Sequence, residues 1–198
     1  MRISVSCLAF CLATSLLSAP ALAHGNLNFT SGSRTLDDDD FWEPVEDQSD
    51  YGLTVDFGEK DWPVNIAVGY YQSSNDGTLT TLPLLGDVDV EGTVREWSLG
   101  AHKVWTLHNP ARPFFGGGLT FVETDAEVDS VLGDTDDEDS SNGVYLEGGV
   151  FFRLADVLNL GFHGRLTEGT DVTLFDGDGD ADYYQVGLLF GFGWPGRK

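Results

Sequence analysis

Two groups of residues in the sequence have side chains that could do chemistry. The first comprises ionisable residues that fall on one face of segments in which large apolar residues alternate with small or polar ones. They are Arg34, Asp56, Glu96, His102, Glu147, Arg153, His163 and Arg165. The second is the run "DGDGDAD", which contains Asp176, Asp178, Asp180 and Asp182 at two-residue spacing. Imidazoles and carboxylates can act as general acids and bases, and clustered carboxylates can hold hard cations.

The acidic run is similar to the start of an EF-hand calcium loop, but only superficially. The position that needs glycine for the sharp turn is Ala181, and the position that needs a bidentate glutamate is Gly187. The sequence therefore predicts weak binding of a divalent cation such as calcium or magnesium at this run, with a solvated, repulsive surface as the alternative. We expect no other cofactor.

The elements that must position these residues are β-strands. In "YYQVGLLFGFGW" the large apolar side chains occupy every second position from Tyr184 to Trp194, and the positions between them are mostly glycine. Strict alternation of this kind indicates a strand with two different faces. Eight such segments occur, at residues 26–36, 49–58, 64–74, 95–106, 114–127, 144–154, 158–170 and 182–194.

The N-terminus indicates where such strands would fold. Residues 1–23 have a positive start at Arg2, a short apolar stretch and the small-residue cleavage site Ala21-Leu22-Ala23, which is typical of a secretory signal peptide. Both cysteines, Cys7 and Cys11, lie in this segment, so the mature chain would have no thiol chemistry. We expect a single exported domain over residues 24–198, and an all-apolar strand face in an exported protein fits a bacterial outer membrane.

A closed barrel gives these strands a consistent fold. A strand of about ten residues is roughly 33 Å long, and tilting it by about 40° gives about 25 Å, the height of the apolar band of an outer-membrane barrel. The sequence thus predicts an all-β, eight-stranded antiparallel barrel with up-and-down topology. The ionisable set would point into its narrow lumen, with glycines where eight strands leave no room for bulky side chains.

The lumen residues could form a proton path or a pore lining, or they could form a packed plug of ion pairs. We favour the plug, because eight-stranded barrels have interiors just wide enough for side chains to fill and buried charges need partners. His102 and His163 could be general bases, but His163 has no serine neighbour on its own or the preceding strand. We therefore predict no catalytic residues and no enzyme.

The connections differ in length and charge. Those after strands 2, 4 and 6 are short, whereas residues 37–48, 75–94, 128–143 and 171–181 form four longer connections without any Lys or Arg. Short periplasmic turns and long outer loops are typical of such barrels. The net charge of −23 would become −24 once the signal segment and its Arg2 are removed. Phosphate binding needs a basic surface, so nucleic acid is excluded as a partner.

On these features the sequence resembles the small eight-stranded outer-membrane barrels of the OmpA membrane domain and OmpX-like group, often labelled porin-family proteins. The most specific residues are Gln185, Gly187, Phe190 and Phe192 in "QVGLLFGF". They are similar to the C-terminal signal that the barrel-assembly machinery reads, although this chain continues past the aromatic residues to Lys198. The resemblance implies contact with outer-membrane lipid and lipopolysaccharide, and we expect a monomer.

Two functions of different class remain open at this point. The first is a structural or interaction barrel whose acidic loops meet divalent cations, lipopolysaccharide or an external partner. The second is a narrow pore, or a lateral path, for small solutes. The two hypotheses differ in whether the lumen is closed.

The lumen can be predicted in more detail from the hairpin of strands 6 and 7. If Leu154 faces Leu158 across the turn 155–157, then Glu147 faces Arg165 inside the barrel. The same register sets Gly149 opposite His163, and Arg34 and Glu96 can extend the cluster at the same level.

Overall fold

The computed structural model describes residues 24–59, 61–80, 87–107, 110–130, 133–175 and 177–194. Residues 1–23, for which a signal peptide is predicted, Asp176 and residues 195–198 lie outside the described residues. Apart from a four-residue helix, α1 (Asp39–Trp42), the regular elements are strands. They are β1 (His24–Leu36), β2 (Asp47–Gly58), β3 (Asn65–Thr80), β4 (Asp87–Val104), β5 (Ala111–Ser130), β6 (Gly133–Leu154), β7 (Leu158–Glu168), β8 (Asp171–Leu174), β9 (Gly177–Asp180) and β10 (Tyr183–Trp194).

Eight of these strands form a closed antiparallel barrel. Each strand from β1 to β7 pairs with its neighbour in sequence, and β10 pairs with both β7 and β1 to close the sheet. The short strands β8 and β9 form a separate hairpin between β7 and β10. The predicted fold class, an eight-stranded up-and-down barrel, is confirmed. Closure pairs the backbone groups of the barrel strands along the part that crosses the apolar band, as a hydrocarbon environment requires.

The two faces of the barrel wall follow the alternation in the sequence. On β10, Leu188 is 62% exposed and Val186 is 60% exposed, whereas Gln185 on the opposite face is 1% exposed. Tyr51, Trp97 and Tyr184 lie exposed toward the outer end of this apolar surface, and Trp62, Trp105 and Phe115 lie exposed toward the other end. The large apolar side chains therefore face lipid, and the polar side chains face the lumen.

Two of the predicted outer loops are largely strand, and the predicted boundaries there are wrong. β3 continues to Thr80 and β4 begins at Asp87, within the predicted loop 75–94. β5 continues to Ser130 and β6 begins at Gly133, within the predicted loop 128–143. The reason is that "DVDVEGTV" alternates like the membrane strands, with charged residues in the sequence at alternate positions where those strands have apolar ones. The four strands β3 to β6 thus extend beyond the apolar band as one sheet, which we call the outer sheet.

The remaining two outer connections fold over the mouth of the barrel. The connection from β1 to β2 contains α1 and a cis bond between Glu43 and Pro44, and the connection from β7 to β10 contains the β8–β9 hairpin. Their apolar side chains pack against the inward face of the outer sheet. This apolar cap consists of Leu36, Trp42, Val45, Val94, Val122, Ala126, Val172, Leu174, Ala181 and Tyr183. Within the described part of the chain, no helix is long and apolar enough to cross a membrane.

Candidate functional site

The middle of the lumen holds two arginines and two glutamates in direct contact. The Arg165 guanidinium donates to Glu96 and, at 3.1 Å, to Glu147, and Arg34 lies 3.5 Å from Glu96. All four side chains are buried. Two positive and two negative charges cancel within this group, which we call the upper cluster. Burial of such charges is tolerable because each has an oppositely charged partner.

Tyrosines complete the hydrogen bonding of the upper cluster. Tyr183 accepts a hydrogen bond from Arg165 Nε at 3.0 Å and donates to Glu96. Tyr71 donates to Glu147 at 3.1 Å, and the Arg165 guanidinium lies 3.8 Å from the ring centre of Tyr145. These rings lie between the charged groups and stack on the guanidinium groups.

The hairpin of β6 and β7 has the register expected from the sequence. Glu147 is paired with Arg165, and Gly149 is paired with His163. The turn between the strands contains Ala155 and Asp156 at φ values of 48° and 62°, which is the left-handed conformation that a tight turn requires. Because the connection has only three residues, the two strands cannot shift relative to each other. Glu147 is therefore held opposite Arg165.

His102 and His163 flank Glu147 on opposite sides. His102 Nε2 lies 3.8 Å from Glu147 Oε2, and His163 Nδ1 lies 3.8 Å from Glu147 Oε1. Both distances are too long for hydrogen bonds. The cross-strand neighbours of His163 are Gly149 and Gly187, and those of His102 are Asn65 and Gly116. Neither imidazole therefore has a serine beside it to activate.

A second polar group, the lower cluster, lies nearer the other end of the barrel. Asp56 accepts from Asn26 at 3.0 Å and from Asn65 at 2.5 Å. Arg153 donates to Asn26 and, at 2.7 Å, to Asn159. The predicted lumen set is thus divided between two levels, with Asp56 and Arg153 linked through an asparagine rather than in direct contact.

A small cavity lies between the two clusters. It has a volume of about 10 Å³ and is lined in part by Asp56, His102 and Glu147. That volume is about the room needed by one water molecule. Among the described residues, side chains occupy the lumen at both polar levels, and the apolar cap lies above them.

Sequence reasoning missed the uncharged partners in the lumen. Tyr71, Tyr183, Asn26 and Asn65 are all buried and bonded to the predicted ionisable residues. Their positions share the inward parity of those residues, so the signal was present in the alternation. Because these side chains carry no charge, only the face that they share identifies them as lumen residues.

The described aspartates of the acidic run make separate contacts, and metal binding by this run stays a prediction. Asp182 accepts hydrogen bonds from the backbone nitrogen and the hydroxyl of Thr170, and Asp178 accepts from Thr173. Asp180 faces Asp171 across the β8–β9 hairpin. Its pKa is raised, first by desolvation and then by the hydrogen bond and charge of Asp171. Among the described residues, which exclude Asp176, no group of three or more acidic, histidine or cysteine side chains is arranged to hold a metal ion.

The outward face of the outer sheet carries carboxylates directly opposite one another. Asp76 pairs with Glu91, Glu91 with Glu127, and Glu127 with Asp136, so that one row across four strands is acidic throughout. All four side chains are exposed. Like charges in directly opposed positions destabilise a sheet, so this row is a local cost to folding.

Nearer the membrane, the same face contains a groove of about 250 Å³. Its lining is Arg95, Glu123, Thr124, Asp125, Glu138, Asp139 and Ser140. Arg95 forms an ion pair with Asp125. The groove lies just beyond the row formed by Tyr70, Trp97 and Phe121, which are paired across β3, β4 and β5.

The proposed assembly residues are spread along β10. Gln185 points into the lumen, where it donates to Asp50 at 2.6 Å and accepts from Arg34 at 3.2 Å. Phe190 and Phe192 point outward, with their rings 5.5 Å apart. Gly187 leaves room for His163, whose Nε2 would lie 2.9 Å from an added Cβ. Recognition of these residues by an assembly machinery stays a prediction.

Comparison with known proteins gives a family and several similar folds. Residues 9–194 match the family model of the outer membrane protein beta-barrel domain. No curated protein matches the sequence significantly.

Among solved structures, the outer membrane protein OprG from Pseudomonas aeruginosa aligns with a TM-score of 0.55 and 14% identity, covering 88% of this chain and 98% of that chain. The attachment invasion locus protein Ail of Yersinia pestis, in complex with the heparin analogue sucrose octasulfate, aligns with a TM-score of 0.52 and 11% identity, covering 87% and 97%. Neisserial surface protein A aligns with a TM-score of 0.51 and 11% identity, covering 86% and 96%. At these identities the likeness concerns the fold.

Proposed function

Because the chain belongs to the outer membrane protein beta-barrel domain family, and so to the cell outer membrane, we propose that it is a closed barrel that carries a binding surface outside the cell. In this proposal the barrel is an anchor and the outer sheet with its neighbouring connections is the functional part. The lumen conducts no solute and catalyses no reaction.

The observation that supports the proposal is that side chains occupy the interior at two levels, the upper cluster and the apolar cap. The upper cluster fills the middle of the lumen with buried ion pairs and tyrosines. Above it, the apolar cap packs Trp42 and Val45 against Val94 and Val122. A permeating ion would have to separate the Arg165 pairs and also displace a packed apolar group, and each of these steps is costly.

The charge of the outer surface supports a cationic ligand. Ail, a protein of similar fold, binds a polyanion, sucrose octasulfate. Here the four connections 37–48, 75–94, 128–143 and 171–181 contain no Lys or Arg, and the outer sheet has a fully acidic row. We therefore expect divalent cations to bind weakly and collectively, and through them the phosphates of lipopolysaccharide.

Electrical recordings test the closure. The mature protein in planar bilayers should give no conductance above that of the bare lipid, and vesicles that contain it should not swell in small sugars. A general porin inserted at the same density is the positive control. Stepwise conductance or sugar uptake would refute the closed barrel and favour the narrow pore, and uptake restricted to apolar solutes would favour a lateral path.

We also propose that residues 1–23 are removed on export and that the barrel is assembled as a monomer. The intact mass of protein purified from outer membranes should then correspond to a chain that starts at His24. Light scattering in detergent should give the mass of one chain. A mass that retains Cys7 and Cys11 would contradict the predicted cleavage.

A further inference from the structure

We propose that the outward face of the outer sheet is a docking surface for an arginine-rich segment of a partner protein, with one guanidinium of that partner entering the groove beside Arg95. The inference rests on the proposed function, because it names the partner of the surface that the closed barrel carries. It commits to a cationic polypeptide.

The face is an unpartnered side of a sheet whose other side is packed. Val94, Val122 and Ala126 point inward into the apolar cap. The connections that form the cap approach from the same inner side, where Val45 contacts Gly92 and Pro44 contacts Gly77. On the outward side, Glu91, Glu127 and Asp136 are exposed. Among the described residues, none of these three forms a salt bridge.

Part of the edge of the same sheet has no backbone pairing with a further strand. β6 begins at Gly133, but its pairing with β7 starts only at Val144. Along the stretch before Val144, β6 pairs through its backbone with β5 alone. The carboxylates of Asp137 and Asp139 reach the backbone nitrogens of Phe175 and Thr173, so β8 meets this edge through side chains rather than through a ladder. An extended segment lying across the sheet would therefore meet acidic side chains on the face and at the edge.

The groove shows how a guanidinium is held at this surface. Arg95 already lies in it and pairs with Asp125, and both side chains are part-exposed. Glu123 and Glu138 line the same groove, and neither has an ion pair among the described residues. Because a planar guanidinium can bind carboxylates through two parallel hydrogen bonds, a second arginine beside Arg95 would satisfy these two glutamates.

The net negative charge of the groove indicates that its partner is positively charged. Four exposed or part-exposed carboxylates from two neighbouring strands, Glu123, Asp125, Glu138 and Asp139, line the groove together with one guanidinium. The acidic row immediately above adds four more carboxylates without a base. A cationic segment would relieve repulsion that the sheet otherwise bears, and it would be steered to this face at long range.

The test measures binding of a synthetic oligoarginine peptide to the full mature barrel in phospholipid nanodiscs, by fluorescence anisotropy. The variant Glu123→Gln/Glu138→Gln removes the two unpaired groove carboxylates and should weaken binding about fivefold. The matched control Asp37→Asn/Glu168→Gln removes the same charge from exposed positions outside the groove and should weaken binding by less than about twofold. Oligolysine of equal length should bind less tightly than oligoarginine, since it lacks the planar fork.

Equal loss in the two variants would overturn the proposal, because binding would then follow net charge alone. The proposal would also be overturned if the peptide did not bind. If magnesium or calcium bound at Glu123 and Glu138 instead, the face would be assigned to cation-bridged lipopolysaccharide. These failures leave the closed barrel untouched, because bilayer conductance tests that proposal independently.

Discussion

The lumen and the outer sheet use the same residue types in opposite ways. In the lumen, Glu96 and Glu147 are buried and each contacts an arginine and a tyrosine. On the outer sheet, Glu91 and Glu127 are exposed, face each other directly, and have no base between them. The difference shows that the buried glutamates of the upper cluster are paired with bases, whereas the glutamates of the outer sheet are left uncompensated where solvent can screen them.

This contrast assigns different tasks to the two regions. A buried carboxylate without a partner is too costly to keep, so the pairs in the lumen are a requirement of folding. An exposed like-charge row costs little, so it can persist for a reason other than stability. The following predictions test the contrast, beginning with the largest expected effect.

Breaking one side of the upper cluster should be the most destabilising change. Glu147→Ala should lower the free energy of unfolding by about 3–5 kcal/mol, because it leaves part of the Arg165 charge buried without a partner. The double change Glu147→Gln/Arg165→Gln should cost less, because it removes both charges and Glu96 retains Arg34. Denaturant unfolding in lipid vesicles would measure both. Equal losses in the single and double variants would show that the pair is not energetically coupled.

Removing the centre of the apolar cap should have the next largest effect, and a local one. Trp42 is buried and donates a hydrogen bond to the backbone oxygen of Asp180 at 2.7 Å. Trp42→Ala should cost about 2–3 kcal/mol, at the low end for a buried aromatic because the connection can relax. Hydrogen exchange should accelerate in β8 and β9 and not in the lower half of β6.

The same Trp42→Ala variant distinguishes whether the upper cluster or the apolar cap closes the lumen. Bilayer conductance should remain absent, because the upper cluster still fills the lumen beneath the cap. A conducting Trp42→Ala barrel would show that the apolar cap, rather than the ion-pair cluster, is what closes the lumen.

Divalent cations should stabilise the outer sheet and leave the lumen unaffected. Calcium or magnesium should raise the melting temperature with millimolar midpoints, and binding at ten times Kd contributes about 1.4 kcal/mol by mass action. Glu91→Gln/Glu127→Gln should reduce this gain, and Glu147→Gln should not. Melting curves and titration calorimetry that do not respond to either ion would leave the acidic row as a merely repulsive surface.

The smallest expected effect concerns the facing aspartates of the β8–β9 hairpin. The pKa of Asp180 is raised, so the folded hairpin favours its protonated form relative to the unfolded chain. The stability that the protonated form of Asp180 contributes is fully present below pH 3.8, which is the ordinary pKa of the group. It is lost as the pH rises through the raised pKa of the folded hairpin. Asp180→Asn should therefore stabilise the hairpin at neutral pH, by about a few tenths of a kcal/mol. The gain should vanish in acid, as measured by hydrogen exchange of the hairpin amides.

The number of barrel strands and the position of the lumen residues could be predicted because they follow local rules. Alternation fixes which face a side chain occupies, and the three-residue turn at 155–157 fixes the register that joins Glu147 to Arg165. The lengths of β3 to β6 were predicted too short. The outward face ceases to be apolar before each of these strands ends, although Val90 and Val94 continue the inward face.

The apolar cap could not be predicted, because no local rule brings its members together. Trp42 and Val45 lie in a connection without alternation, and they meet Val172 and Leu174 only after the barrel has closed. The lower cluster was missed in part for a related reason. Asn26 bonds to Asp56 from the adjacent strand β2 and to Arg153 from β6, which is not a neighbour of β1. Contacts across a lumen depend on closure rather than on spacing.

The length of β5 and β6 sets how far the acidic surface stands from the bilayer. These strands have 20 and 22 residues, whereas about ten suffice to cross the hydrocarbon. The remainder raises the tip of the sheet roughly 25 Å above the apolar band. This height is about three screening lengths at physiological ionic strength, where the Debye length is about 8 Å. Dissolved salt therefore screens the tip from the charge of the lipid surface. The anionic groups of that surface contribute almost nothing to the electrostatic potential that an approaching cation encounters at the tip.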